Sequence, residues 1–146
     1  MKLLDTNLWL ALTLSKHSHH QAAVSWLDGQ SLQNNVAFCR STQQSFLRLM
    51  TTTGVLAVYG NEALSNAAAW NCYEAFMADE RIVFLPEPSG IDLLWKKLAA
   101  RKSSSPKLWM DSYLAAFAMA GGLELITIDK AFTQFPGLDV VVIDAG

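Results

Sequence analysis

Short apolar runs that stop abruptly at turn-forming residues decide what this chain can fold into. Leu3-Leu4 runs straight into Asp5-Thr6-Asn7, and Val36-Ala37-Phe38-Cys39, Ile82-Val83-Phe84-Leu85, Glu124 to Ile128 and Asp139 to Ile143 are further runs of strand length. They are too short for stable helices and apolar on both faces, as strands covered on two sides must be. Pro86 and Pro88 end the third. Helical spacing fills the intervals. A short helix is expected over Leu8 to Leu14. Ser18 is expected to cap a second helix to about Leu27, with Ala22, Ala23, Trp26 and Leu27 on one face and Gly29 as its stop. A third covers Thr42 to Thr51, Gly54 to Gly60 reads as a connector, and Asn61 caps a long helix to about Met77. Ile91 to Ala100 is amphipathic, with Leu93, Leu94 and Leu98 inward and Lys96, Lys97 and Arg101 outward. The last helix runs from about Trp109 to Met119 and stops at Gly121-Gly122. Strands alternating with helices predict an α/β fold, a three-layer α/β/α sandwich with a mostly parallel central sheet.

The chain has 146 residues and is 51% hydrophobic. That is enough for one domain over residues 1–146, since a chain of this length buries roughly 68–70% of its unfolded surface without a disulfide or structural metal. Cys39 and Cys72 are isolated and expected to be reduced packing residues. No apolar run approaches the ~18 residues of a membrane span, and the first residues lack a signal-peptide pattern. A cytoplasmic protein without membrane association is expected. The net charge of −2 argues against gripping nucleic acid by bulk charge. It leaves room for a nuclease whose metal ions neutralise the phosphate.

Three acids stand where chemistry is expected. Asp5 and Asp129 each follow an apolar strand, and in parallel sheets ligands bind beyond the carboxyl ends of the strands, where strand order reverses. Asp111 opens a helix on which Asp111, Ala115 and Ala118 share a face; the alanines let that helix lie close to the sheet. Converging carboxylates raise one another's pKa unless a cation sits between them, and Mg²⁺ is commonly held by one or two carboxylates plus waters and phosphate. Taken singly, Asp5 or Asp129 is equally a helix cap and Asp111 a first-turn acid meeting the helix dipole.

The opening LLDTN, CRSTQQSFLRLMT after the second strand, WMDSYLAAFAMAGG and the closing LITIDKAFTQF, in this order and at these separations, resemble the PIN-domain family, specifically the VapC-type toxins of bacterial toxin–antitoxin pairs. The resemblance spans nearly the whole chain. It implies a PIN-like, Rossmann-like fold and a Mg²⁺-dependent endoribonuclease, with Mn²⁺ as a substitute ion, that hydrolyses RNA to 5′-phosphate and 3′-hydroxyl ends. Asp5, Asp111 and Asp129 match three positions of the family's acidic quartet as catalytic and metal-binding residues. The fourth, a Glu after the second strand, is missing: Thr42-Gln43-Gln44-Ser45 stands there, with Ser45 nearest the expected position and Gln43 or Gln44 as amide-oxygen substitutes. The family further implies a homodimer and a cognate antitoxin protein that holds the enzyme inactive.

Arg40, Arg48, Lys96, Lys97, Arg101, Lys102 and Lys107 are the candidate RNA contacts, and Thr127 is placed to touch a carboxylate or a metal-bound water. Thr6 and Asn7 are expected to shape the turn after the first strand. His17, His19 and His20 have no acid or cysteine at a ligand-like interval and are expected at a solvent-exposed helix start. Two rival functions remain. A haloacid-dehalogenase-type phosphatase needs a second Asp two residues after the first, where this chain has Asn7. A PIN fold without turnover, acting as an interaction module, is favoured by the absent Glu.

Overall fold

The structure, a computed structural model, describes residues 1–145. Five strands, β1 (Lys2–Leu4), β2 (Val36–Phe38), β3 (Ile82–Phe84), β4 (Glu124–Thr127) and β5 (Val140–Val142), form one sheet in the order β3-β2-β1-β4-β5. The expected mostly parallel sheet is parallel in every pairing.

Helices cover both faces, and the strand period of two decides which residue meets which helix. Leu4, Val36, Phe38, Ile82 and Ile126 point to one side. There they pack with α1 (Thr6–Thr13), α2 (His20–Asp28), α3 (Arg40–Met50), α4 (Thr53–Val58) and α5 (Asn66–Met77). Leu3, Ala37 and Leu125 point to the other, against α6 (Ile91–Ala99) and α7 (Leu108–Gly121). The three-layer α/β/α sandwich is thus present.

Local chemistry moved several boundaries. α3 begins at Arg40 rather than Thr42, because the Thr42 hydroxyl accepts from the Cys39 amide at 3.0 Å and ties down the turn entering the helix. Ser65, accepting from the Ala68 amide at 3.1 Å, caps α5 in place of Asn61. The Gly54–Gly60 connector holds the short α4, released by Gly60 at φ +72°. His19 stands at the N-cap of α2 instead of Ser18. Gly122, left-handed at φ +64°, stops α7 as expected. Leu93 is corrected outright: it is 81% exposed. It lies three and four residues before Lys96 and Lys97, so it shares their solvent face.

The strand order positions everything that follows. β1 bonds to β2 on one side and β4 on the other. The chain therefore winds outward to β3, returns and winds the opposite way to β5. The crevice such a reversal opens lies at the carboxyl ends of β1 and β4.

Candidate active site

Asp5 leaves β1 at that crevice. Its amide donates to the Ile126 carbonyl at 3.0 Å, extending the pairing with β4, and its carbonyl accepts from the Leu8 amide at 3.0 Å as α1 begins. The side chain makes no capping bond to α1, so the cap role is not what holds it. It is only 9% exposed. One oxygen, Oδ2, accepts from the buried Thr127 hydroxyl at 2.9 Å. Thr127 is the last residue of β4, and its hydroxyl also accepts from the Asp129 amide at 3.0 Å. One strand threonine thus ties Asp5 to the backbone that carries Asp129, as its placement at the strand end suggested.

Burial pushes the Asp5 carboxyl up to about 6. The Thr127 hydroxyl and the nearby Thr6 amide act against that rise, while the charges of Asp111 and Asp129 add to it. Asp111, half-buried in the first turn of α7, is also held above the ordinary carboxylate range, by burial and then by the charge of Asp129. An acid governed by the helix dipole would move the other way. The small-residue face works as expected: Ala115 and Ala118 are fully buried. α6 is locked to the same helix through Trp95, whose indole N–H is shared between the Ser112 hydroxyl and the Trp109 carbonyl, both at 3.1 Å.

Asp129 is a cap, one of the two readings its place after a strand left open. Its Oδ1 accepts from the Ala131 amide at 2.9 Å and caps the 3-10 turn over Lys130–Gln134, leaving Oδ2 outside that cap. The three acids therefore meet in pairs, with Asp111 common to both. Asp5 and Asp111 line a recess of about 170 Å³. Asp111 and Asp129 line a neighbouring cavity of about 580 Å³ with Arg101, Lys107 and Gln134. Among the described residues no group of three His, Cys, Asp or Glu side chains closes around a single point. Hard oxygen donors in mutually repelling pairs suit a divalent ion that keeps several of its waters, as Mg²⁺ does, rather than an all-protein cage.

The helix that should supply a fourth acid presents hydroxyls and a cation instead. Ser41, Ser45 and Arg48 line the Asp5–Asp111 recess, spaced i, i+4 and i+7 on one face of α3. Ser45 was anticipated at this point; Ser41 was missed, although the helical spacing from Ser45 was there to read. Gln43 is buried with its Oε1 engaged by Arg40, and Gln44 is exposed. Arg40 itself lies 4.6 Å over the Phe84 ring. Thr6 lines the recess while Asn7 faces solvent.

The histidines are structural, though less exposed than expected. His17 stacks on Tyr59 at 5.0 Å and the His20 ring bonds to the Ala11 carbonyl. Cys39 and Cys72 are both free thiols. Asp79 is paired with Arg81 at 2.7 Å, and Glu87 accepts from the Tyr113 hydroxyl at 2.7 Å. No helix among the described residues is long and apolar enough to cross a membrane.

Comparison with known proteins finds relatives over nearly the whole chain. The PIN domain family model matches residues 2–138. Ribonuclease VapC41 of Mycobacterium tuberculosis is 52% identical over 141 residues, covering 96% of this chain and 97% of the relative. Ribonuclease VapC29 of the same species is 29% identical over 97% of this chain and 94% of its own length. In fold, the chain is similar to DNA-bound VapBC from Salmonella typhimurium (TM-score 0.64, 16% identity, 97% of this chain and 96% of that one). VapBC-1 from nontypeable Haemophilus influenzae is similar at TM-score 0.66, with 16% identity and the same coverages. With its parallel sheet, strand-end acids and near-complete match, the chain belongs to the PIN-domain family, in its VapC-type branch.

Proposed function

We propose that this chain is a Mg²⁺-dependent endoribonuclease, the toxin of a toxin–antitoxin pair, acting as a single PIN-like domain over residues 1–146. The observation that carries this reading is Asp5. A buried carboxylate raised to about 6 stands at the reversal of strand order and shares a recess with a second raised acid. Such perturbed groups in a crevice mark functional sites. The ribonuclease names of the relatives give the reaction class.

In this reading Asp5, Asp111 and Asp129 hold the ion, with Mn²⁺ able to replace Mg²⁺. A divalent ion held there would supply positive charge toward a phosphate oxygen and lower the pKa of a bound water. The chain's own contributions follow from its hydrogen bonds. Thr127 holds Asp5 Oδ2 at the wall of the recess. Ala131 orients Asp129 by fixing Oδ1. Burial raises the Asp5 carboxyl to about 6, so a cation placed beside it would favour the anion that burial disfavours. Ser41 and Ser45 offer neutral hydroxyls where the resemblance implies a carboxylate, so the site carries one negative charge fewer than the family's quartet.

A cognate antitoxin, a homodimeric state and a cytoplasmic location complete the proposal. The VapBC complexes among the fold relatives support the first. Asp5→Asn and Asp129→Asn chains, folded by circular dichroism, are expected to leave RNA intact at Mg²⁺ concentrations where the parent cleaves it. Retained cleavage in either variant overturns the assignment. The rival reading, a PIN fold without turnover, draws on the missing Glu and on the pairwise meeting of the acids. It predicts that the parent binds a partner yet leaves RNA whole with either ion.

A further inference from the structure

Three cavities, two of them holding the strand-end acids, are joined in series by shared walls. A cavity of about 340 Å³ between α3 and α5 is lined by Leu47, Arg48, Asn66 and Trp70. Arg48 is also a wall of the Asp5–Asp111 recess. Asp111 in turn is a wall of the cavity that holds Asp129, Arg101 and Lys107. Asp5 and Asp111 line the middle cavity, Asp129 lies with Arg101 and Lys107 in one outer cavity, and Arg48 is the wall toward the other. Among the described residues the single ion pair is Arg81–Asp79, so Arg48, Arg101 and Lys107 share cavities with the acids without forming a direct ion pair to any of them. Arg101 is oriented by a 2.9 Å bond to Gln134 Oε1. At the outer end, Trp70 is 46% exposed, and its ring is fixed by an indole bond to Glu74 at 2.8 Å.

We propose that this track binds single-stranded RNA along the line of the three cavities, an inference that rests on the nuclease reading and adds to it the path of the substrate. Arg48 holds the phosphate on one side of the scissile bond. Arg101 and Lys107 hold the phosphate on the other. Trp70 is a platform for an unpaired base beyond Arg48. The charge pattern matches a polyanion of which one phosphate is neutralised by the metal and the next ones must be neutralised by protein. A fixed, half-exposed indole suits a base already out of a stack, and such stacking is indifferent to sequence. The chain's net charge of −2 makes local cations the available source of phosphate affinity.

The test uses the full chain carrying Asp5→Asn, so that bound RNA survives, with Mg²⁺ and a short fluorescent oligouridylate, read by anisotropy across a salt series. Removing Arg101 or Lys107 as alanine is expected to flatten the slope of log affinity against log salt by about 0.7 per lost contact. Trp70→Ala is expected to weaken binding by about 5- to 150-fold at an unchanged slope, with Trp70→Phe restoring most of it. A matching duplex should bind more weakly than the single strand. If these variants bind as the Asp5→Asn chain does while the unaltered chain still cleaves RNA, the path is wrong and the nuclease stands. If the unaltered chain neither cleaves nor binds, the function falls and the path with it. If Trp70→Ala spares RNA but abolishes capture of a co-expressed neighbouring protein, that end is a protein-docking face and the inference is overturned.

Discussion

The two faces of the sheet differ in what their helices bring against the strands. Under α1–α5 the core is aromatic: Trp9 lies flat on Phe38 at 3.7 Å, and Phe46, Tyr73 and Phe76 pack edgewise around the pair. Under α7 small residues are mixed in: Ala115, Ala116 and Ala118 are fully buried in one cluster with Leu3, Ala37 and Leu125, together with Phe117, Phe132 and Phe135. Large rings fill volume and bring most of the burial energy, at the cost of distance. Alanines bury little but let a helix axis come near the strands. The aromatic face therefore holds the molecule together, whereas the alanine face delivers Asp111 to the strand ends.

That contrast can be broken experimentally, beginning with the largest effect. Trp9→Ala should cost about 3–5 kcal/mol in urea denaturation, because it empties a site with no exposed surface. RNA cleavage per folded molecule should be unchanged. A specific loss of activity in that variant would mean the aromatic face also shapes the recess.

The next effect belongs to Asp5. Its folded-state value near 6 lies above its ordinary 3.8, so the fold prefers the protonated acid. Stability of the metal-free protein should be highest below about pH 4 as far as this group is concerned. It should fall as pH rises to about 6 and level off above, by at most about 3 kcal/mol at 1.36 kcal/mol per pKa unit. Asp5→Asn should flatten that segment of the profile. A parent profile that rises over the same window would show that Asp5 is not buried as a strained acid.

Ala115→Leu tests the other face. Overpacking should cost about 1–3 kcal/mol, and cleavage should drop further than the folded fraction does, since Asp111 sits one turn away. Activity that merely tracks folding would deny the small residues any part in placing the acid. The smallest effect is a gain. Ser45→Glu puts a carboxylate into the Asp5–Asp111 recess and should tighten Mg²⁺ by about tenfold, equal to about 1.4 kcal/mol, in a calorimetric titration. Unchanged affinity would place the metal nearer Asp129 than α3.

Much of this was legible beforehand, for identifiable reasons. A strand buried on both faces has no choice but to be apolar throughout, so the five runs show themselves. Gly121-Gly122 reads as a stop because only glycine takes a left-handed cap without strain. Leu93 misled because a leucine beside Leu94 invites an inward assignment, though its i+3 and i+4 partners are lysines. The helix starts at Arg40 and Asn66 were misjudged because each depends on which nearby side chain wins a backbone amide. Ser41 went unnoticed because a serine has no chemistry of its own until a carboxylate stands across from it.

Alone, the order of residues determined the alternation of strand and helix and set an acid just beyond two strands. Both follow from local physics, from burial periodicity and from what cannot continue a strand. Tertiary structure alone decided that β1 and β4 are neighbours. Because they are, a hydroxyl 122 positions away reaches Asp5 and the water around that carboxylate is displaced. A group's neighbours in space, unlike its neighbours in sequence, set its solvation, and solvation is what makes an ordinary aspartate unusual.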